Sequence, residues 1–486
     1  MSQLLIRACF DIQQITRNLV AADYERVHLY AHRIRRISEK VQGRTDYTLF
    51  LSMHAQALQT LELCNPHRYD GPLVPKVHHL VLSLGAFHRK ATIPWMVVGS
   101  ALRSIRLTSL RDWYEREQPI PHEILQNMTS VLSSATITSF ILHAELGIHF
   151  LVKQGLADFG IQPNLLSLYC TFHHLEEFNA RSTEFTHQTL SHFAALPTLW
   201  KLMVSIQLVE LRKFIKYNSS RAVFDQLIAL HFEVDTLESA HQLLECRGFR
   251  ALQELQISRH PISDTIWNVD PLISTLRGHA GDIPLTSLKL MQAEYLIDHV
   301  SLSPSEISTV IPLFALADIT TIEIKLMGTI GFGSDELQAL AQAWLRLEVL
   351  QLFEYTTAAD DTQIFSFSDL FPVVASCLNL RKLTIHVNAL KGIPDAAQMT
   401  DMAPGLRLEY FDVSRSPACD PVLVSDFIRR LFPNLQKMNN QWAFDGDPHS
   451  WSFQAGEEEY FECWVLVEIL LGLRPGYRIG DVIVGE

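Results

Sequence analysis

The chain has 486 residues, 48% of them hydrophobic and 19% charged, so it has ample material for a core and is not expected to be disordered. Its formal net charge of -13 argues against nucleic acid as the main ligand, because phosphate contacts need clustered Lys and Arg. The start of the chain has no signal-peptide pattern and no run of about 18 apolar residues occurs, so we expect a soluble chain without a membrane segment.

The 7 cysteines are scattered along the chain, and none are spaced as Cys-x-x-Cys. This pattern is typical of free thiols in a reducing compartment, and it favours neither a disulfide framework nor a zinc site. We therefore expect a cytoplasmic or nuclear protein.

Residues 1–50 are predicted to form capping helices. Asp23 is a suitable helix start, and Val27, Tyr30, Ile34 and Ile37 then share one stripe at helical spacing. Such a stripe would close the open end of the first coil of a repeat array.

From residue 51 to residue 440 one phrase recurs: an apolar residue, two variable residues, an apolar residue, one variable residue and an apolar residue. Most copies begin about 25 to 35 residues apart, which is the length of a strand and a helix with their turns. Leu165 and Leu175 begin competing candidates for one strand. The copies begin at Leu58, Val77, Leu102, Ile137, Leu165, Leu199, Leu227, Leu252, Leu285, Ile319, Leu347, Leu380, Leu408 and Leu435.

Amphipathic helices are predicted between the copies. Start signals place three of them at Ser303, Ser334 and Ser425, and a fourth covers 237–244 and ends at Gly248. The alternation predicts an α/β fold: an irregular leucine-rich-repeat solenoid shaped as a horseshoe, with short parallel strands on its concave face and helices on its convex face.

The variable residue between the second and third apolar positions of each phrase should point outward along the strand face. Eight such residues are all polar, as an exposed face requires, and we interpret them as a protein-binding surface. They are Glu62, Arg106, Gln256, Lys289, Glu323, Gln351, Thr384 and Asp412.

Other patterns do not favour catalysis, a cofactor or a metal. The glycine-rich turn at 328–333 departs from G-x-G-x-x-G, and Asp335 and Glu336 would repel a pyrophosphate. The histidine pairs at 78–79 and 173–174 have no third ligand at a suitable spacing. A solenoid enzyme or small-molecule binder that uses an inserted loop or the irregular region 137–199 is the alternative.

Residues 441–486 are rich in aromatic side chains, including Trp442, Trp451 and Trp464. They are predicted to cap the last coil, with a ligand pocket as the alternative.

Residues 22–35 read ADYERVHLYAHRIR. This phrase resembles the D-W-E-R-F-x-x-Y-A-x-R-V-R phrase of mushroom-type fungal F-box proteins with degenerate leucine-rich repeats. The resemblance implies the substrate-recognition part of a cullin-RING ubiquitin ligase adaptor, in which the repeats hold the protein to be ubiquitinated. No F-box phrase precedes Asp23 in this sequence, so a Skp-type adaptor is an expected partner only if an F-box lies upstream. An F-box-less paralogue without a ligase link is the alternative.

Overall fold

The computed structural model consists of two compact units, Met1–Glu233 with Cys246–Phe249, and Val234–Glu245 with Arg250–Glu486. The structure describes residues 36–38, 76, 78–83, 100–108, 132, 135–143, 166, 169–218, 223–246, 248–259, 267–292, 305–307, 310–326, 328–330, 333–354, 365–390, 392–394, 405, 407–414, 416–440 and 457–473.

The first unit contains a parallel sheet whose strands follow one another in chain order. Each strand that matches a phrase begins two residues after the first apolar position of that phrase. The strands are β1 (Arg36–Ser38), β2 (His79–Ser83), β3 (Ser104–Thr108), β4 (Ser139–His143), β5 (Glu177–Glu184), β6 (Lys201–Ile206) and all but the last residue of β7 (Ala229–Val234).

Two helices of this unit, α1 (His187–Ala194) and α2 (Leu208–Asn218), pack against each other. The side chain of Thr186 caps α1 by accepting a hydrogen bond from the backbone N–H of Thr189.

The competition between the phrases at Leu165 and Leu175 is decided in favour of Leu175. In β5, Phe178 lies in register between Phe140 of β4 and Leu202 of β6, so it continues the buried row of the sheet. Tyr169, which is helical, packs on the rings of Phe140 and Phe178 at centroid distances of 5.4 and 5.0 Å. The described part of the irregular region 137–199 is therefore held by an aromatic core.

The second unit repeats the same pattern of strands and helices. A parallel sheet in the order β8-β10-β12-β14-β15-β16-β17 is accompanied by a small parallel sheet of β9, β11 and β13. The strands are β8 (Glu254–Arg259), β9 (Trp267–Asn268), β10 (Ser287–Gln292), β11 (Ser305–Ile307), β12 (Thr321–Leu326), β13 (Gly328–Ile330), β14 (Val349–Glu354), β15 (Lys382–Thr384), β16 (Tyr410–Asp412) and β17 (Lys437–Asn439).

The helices of the second unit stack on those of neighbouring coils, so that α3 contacts α4, α5 contacts α6 and α7 contacts α8. They are α3 (Leu237–Leu244), α4 (Asp270–Gly278), α5 (Ser334–Ala343), α6 (Phe371–Ser376), α7 (Pro421–Leu431) and α8 (Glu457–Leu470), with 3-10 helices at Ile311–Ala315 and Phe367–Leu370.

Each coil is joined to the previous one by backbone hydrogen bonds just before the strand. The N–H of Thr320 donates to the carbonyl of Thr286 at 2.8 Å, and that of Glu348 donates to the carbonyl of Thr320 at 2.8 Å. The apolar positions of the phrase face the core: Leu288 and Leu290 are both 0% exposed. Burial of each such leucine stabilises the coil by roughly 1.5–3 kcal/mol. The prediction of a leucine-rich-repeat type of solenoid is confirmed within each unit.

Several local predictions are wrong. Ile37, assigned to the cap helix, lies in β1, which pairs with β2. The helix expected from Ser303 is replaced by β11 and a 3-10 helix, because Ser305–Ile307 pairs with β9 and β13. The helix expected from Ser425 begins four residues earlier, at Pro421, where Asp420 accepts hydrogen bonds from two backbone N–H groups.

Two other helix predictions are close to the structure. The helix from Ser334 is confirmed as α5, with Leu337, Leu340 and Ala341 buried. The helix over Leu237–Leu244 is confirmed as α3, but it ends before Gly248. Gly248, at a φ of 153°, instead forms an isolated parallel bridge with Val223.

At the C-terminal end, α8 buries Trp464, whose indole Nε1 donates to the carbonyl of Ser416 at 2.7 Å. Trp442 and Trp451 lie outside the described residues, and so does the Asp23 helix apart from Ile37. The boundaries 1–50, 51–440 and 441–486 stay a prediction. Within the part of the chain described here, no helix has both the length and the apolar character needed to cross a bilayer.

Candidate functional site

The strand face of the second unit brings most of the predicted binding residues together. Glu62 lies outside the described residues, and Arg106 is exposed on β3 of the first unit. The other six residues occupy equivalent positions on six successive strands, and Asn439 of β17 extends their line by one strand. This polar row consists of Gln256, Lys289, Glu323, Gln351, Thr384, Asp412 and Asn439.

The polar row is less exposed than its sequence suggests. Gln256 is 9% exposed and is also buried, contrary to expectation. Gln351 and Asp412 are each 2% exposed and Thr384 is 0% exposed, although all three face away from the apolar core. Parallel strands lie about 4.8 Å apart, so side chains at matching positions are close enough to bond one another. The expectation that these three side chains are open to solvent is wrong for that reason.

One end of the polar row is a chain of charge-assisted hydrogen bonds. Lys289 Nζ lies 3.0 Å from Glu323 Oε1 in a salt bridge. The Gln351 amide, oriented with its nitrogen toward Glu323, donates to Glu323 Oε2 at 3.2 Å and accepts from Thr384 Oγ1 at 3.0 Å and from Lys382 Nζ at 3.1 Å. These contacts join four strands, β10, β12, β14 and β15, and they fix the rotamers of the side chains involved.

The other end is organised around Asp412. Its carboxylate accepts hydrogen bonds from the backbone N–H of Ser414 at 2.8 Å, from the Tyr410 hydroxyl at 3.1 Å and from the Asn439 amide at 3.1 Å. Burial raises the pKa of Asp412, and these three hydrogen bonds oppose the effect. Burial and the adjacent Asp412 together raise the pKa of Tyr410.

Sequence reasoning missed three lysines that share this face, because it considered only one position of each phrase. Strand side chains alternate with a period of two, so the residues two before and two after the polar row point the same way. Lys382 and Lys437 lie two residues before the row, and Lys325 lies two residues after it. Together with Lys289 they form what we call the lysine quartet.

Tyr410 organises two members of the quartet. Lys382 Nζ lies 4.9 Å from the centroid of the Tyr410 ring, and Lys437 Nζ lies 5.7 Å from it. Burial lowers the pKa of Lys382; Lys325 and Lys289 add to this effect, while Glu323 and Asp412 oppose it. Lys437 is exposed.

This face can hold charged and hydrogen-bonding groups of a ligand. A groove of about 640 Å³ lies beside it, next to the starts of β15–β17, and Arg381 in its wall forms a two-oxygen salt bridge with Glu409 at 2.9 and 3.0 Å. Among the described residues no group of three His, Cys, Asp or Glu side chains could hold a metal ion.

The strand face of the first unit is different. At the positions that correspond to the polar row, Met203 is 8% exposed and His231 is 7% exposed. Of the predicted binding residues, Arg106 lies among the described residues of this unit, and it is not part of the polar row. The geometry therefore favours the second unit as the site.

No family model matches the sequence, and no curated protein matches it. Two solved structures that resemble it are the crystal structures of PEPR1-AtPEP1 and of the TLR13-ssRNA13 complex. The first is 11% identical with a TM-score of 0.29 over 76% of this chain and 52% of the other, and the second is 12% identical with a TM-score of 0.24 over 73% and 54%. This chain spans about half the length of those structures.

The class of protein is defined by the strand register and not by these distant similarities. Each unit is a solenoid of the leucine-rich-repeat type, and the second unit displays an ordered polar strand face.

Proposed function

We propose that this protein is a non-catalytic interaction module that binds a partner protein on the strand face of its second unit. The observation that carries the proposal is the polar row, which runs in register across seven strands. From Lys289 to Asn439, each of its side chains bonds a neighbour in the row. A binding surface whose side chains are already ordered loses less conformational entropy when a partner binds.

The alternative of a small-molecule pocket in the region 137–199 has less support. The described rings there pack closely: Phe178 lies 4.5 Å from Phe193 and 5.5 Å from Phe140, centroid to centroid. Such packing fills the space that a pocket would need.

The proposal is tested with peptide display on the immobilised full chain, followed by affinity measurements with variants. We expect selected ligands to lose about tenfold or more in affinity when Lys437→Glu and Lys325→Gln are introduced together. Lys216→Glu, an exposed lysine in the last turn of α2, is the matched control and should change affinity by about twofold or less. Equal affinity of every selected ligand for the wild type and the face variant would refute the proposal.

We further propose that the partner protein is a substrate for ubiquitination, so that the module serves as the recognition part of an F-box type adaptor. The support for this role is the resemblance of residues 22–35 alone. Mixing the chain with a purified Skp-type adaptor and measuring co-elution by size exclusion tests direct adaptor binding. Separate elution at concentrations of about 10 µM and above would count against the adaptor role without affecting the proposed interaction surface.

A further inference from the structure

We infer that the segment bound by the strand face is an acidic peptide in extended conformation, whose carboxylates contact the lysine quartet. This inference rests on the proposed function and names the chemistry of the partner. Its basis is a local charge that is opposite in sign to that of the whole molecule.

The chain carries a formal net charge of -13, yet the strand face from β10 to β17 is locally basic. Four lysines, Lys289, Lys325, Lys382 and Lys437, accompany two carboxylates, those of Glu323 and Asp412. A third carboxylate, that of Glu254, lies on the same face of β8 at the end of the sheet.

The two carboxylates that lie among these lysines already accept hydrogen bonds or salt bridges. Glu323 accepts from Lys289 and Gln351, and Asp412 accepts from Ser414, Tyr410 and Asn439. Lys437, by contrast, is exposed, and the contact found for its ammonium group is with the face of the Tyr410 ring. An added carboxylate beside the exposed Lys437 therefore joins a surface that carries more lysines than carboxylates.

The burial of Lys382 supports the same conclusion. Its ammonium group lies between the Gln351 amide and the Tyr410 ring, where loss of hydration and the charges of Lys325 and Lys289 disfavour its charged form. A carboxylate arriving beside it would compensate for the lost hydration.

The dimensions of the face suit a peptide. Seven strands spaced by about 4.8 Å give a length of roughly 29 Å, which an extended peptide of about nine residues would cover at about 3.3 Å per residue. Side chains of such a peptide alternate, so every second residue can point toward the lysines.

An acidic peptide fits the face better than single-stranded RNA does. A nucleic acid carries a charge on every nucleotide, so its line of phosphates would also pass the Glu323 and Asp412 carboxylates, whereas a peptide can place neutral residues beside them. Base stacking needs open aromatic faces, and the ring of Tyr410 already lies close to the ammonium groups of Lys382 and Lys437.

The test measures fluorescence anisotropy with the full chain and four labelled probes: a peptide of about nine residues alternating Glu and Ser, the matching Gln–Ser and Lys–Ser peptides, and an RNA of similar length. We expect the Glu–Ser peptide to bind about tenfold or more tightly than the Gln–Ser peptide, with affinity that falls as salt is raised. The Lys437→Glu and Lys325→Gln double variant should lose this preference, and Lys216→Glu should keep it. Circular dichroism confirms that each variant is folded.

Equal binding of the Glu–Ser and Gln–Ser peptides, or tighter binding of the RNA through the same lysines, overturns the inference. If peptide display instead selects neutral or basic ligands that depend on this face, the inference fails while the proposed function stands. If no ligand depends on the face, both fail.

Discussion

Glu210 provides a test of how α1 and α2 are joined in the first unit. Its Oε2 accepts hydrogen bonds from the backbone N–H of His187 at 2.9 Å and from the ring Nδ1 of His187 at 2.8 Å, and its Oε1 accepts from Lys213 Nζ at 2.5 Å. Burial alone would raise the pKa of Glu210, but the hydrogen bonds from Lys213 and His187 outweigh it and hold the pKa at about 2. The substitution Glu210→Gln keeps the shape and removes the charge.

The loss of stability expected for Glu210→Gln follows from this pKa. The difference between the ordinary value of 4.5 and about 2 corresponds to roughly 3 kcal/mol. Since 21% of the side chain is exposed, solvent screening reduces the contribution, and we expect about 1–2 kcal/mol. Because the folded-state pKa is depressed, this stabilisation is complete above a pH of about 4.5 and is lost as the pH falls toward about 2.

The assay is urea unfolding followed by far-UV circular dichroism at several pH values between about 7 and 3. Glu210→Gln should unfold at lower urea than the wild type at neutral pH, and the two midpoints should converge as the pH falls. Glu348→Gln, an exposed glutamate of the second unit, is the control and should follow the wild type throughout. A difference between the urea midpoints of Glu210→Gln and the wild type that is constant with pH, or absent at neutral pH, would refute the reasoning.

Three further substitutions test the packing by the same urea measurement. Gly248→Ala should lower the free energy of unfolding by about 3 kcal/mol or more, because its Cβ would lie 1.9 Å from the carbonyl oxygen of Val223 and its φ is 153°. Gly278→Ala is the control, since its Cβ would have nothing within 4 Å, and its effect should stay within about 0.5 kcal/mol. Similar urea midpoints for the two variants would contradict the geometry. Phe178→Ala should cost about 3–5 kcal/mol by opening a cavity in the aromatic core, and a cost below about 1 kcal/mol would mean that the region is loosely packed. Trp464→Phe should cost about 1–3 kcal/mol, because it leaves a buried carbonyl without its indole donor, and a neutral effect would show that this hydrogen bond contributes little.

The repeat architecture could be predicted from local patterns. In the phrases at Leu285 and Ile319, for instance, the apolar spacing places Leu288 and Ile322 in the core of β10 and β12. The start of the Ser303 segment could not be predicted, because its strand depends on pairing with β9 and β13, which lie in other coils. A capping signal is local, whereas strand pairing is set by distant residues.

The candidate site could be predicted in part. The polarity of one position per phrase identified six residues that the structure aligns in register. The same strand alternation, applied two residues before and after, would have found Lys325, Lys382 and Lys437. The burial of Thr384 and Asp412 could not have been found in this way, because it depends on hydrogen bonds between residues that are 33 and 27 positions apart in the chain.

The burial of the polar row determines how the face can bind. Gln351 and Asp412 are already satisfied by neighbouring strands, so they have little hydrogen-bonding capacity left for a partner. Their effect is to hold Lys382 and Tyr410 in place, which in turn positions the exposed Lys437. We therefore expect Gln351→Leu to weaken peptide binding by displacing Lys382, with an effect that disappears when Lys382 is replaced by Met. Isothermal titration calorimetry on the four combinations measures this coupling, and additive losses would instead show that Gln351 contacts the partner directly.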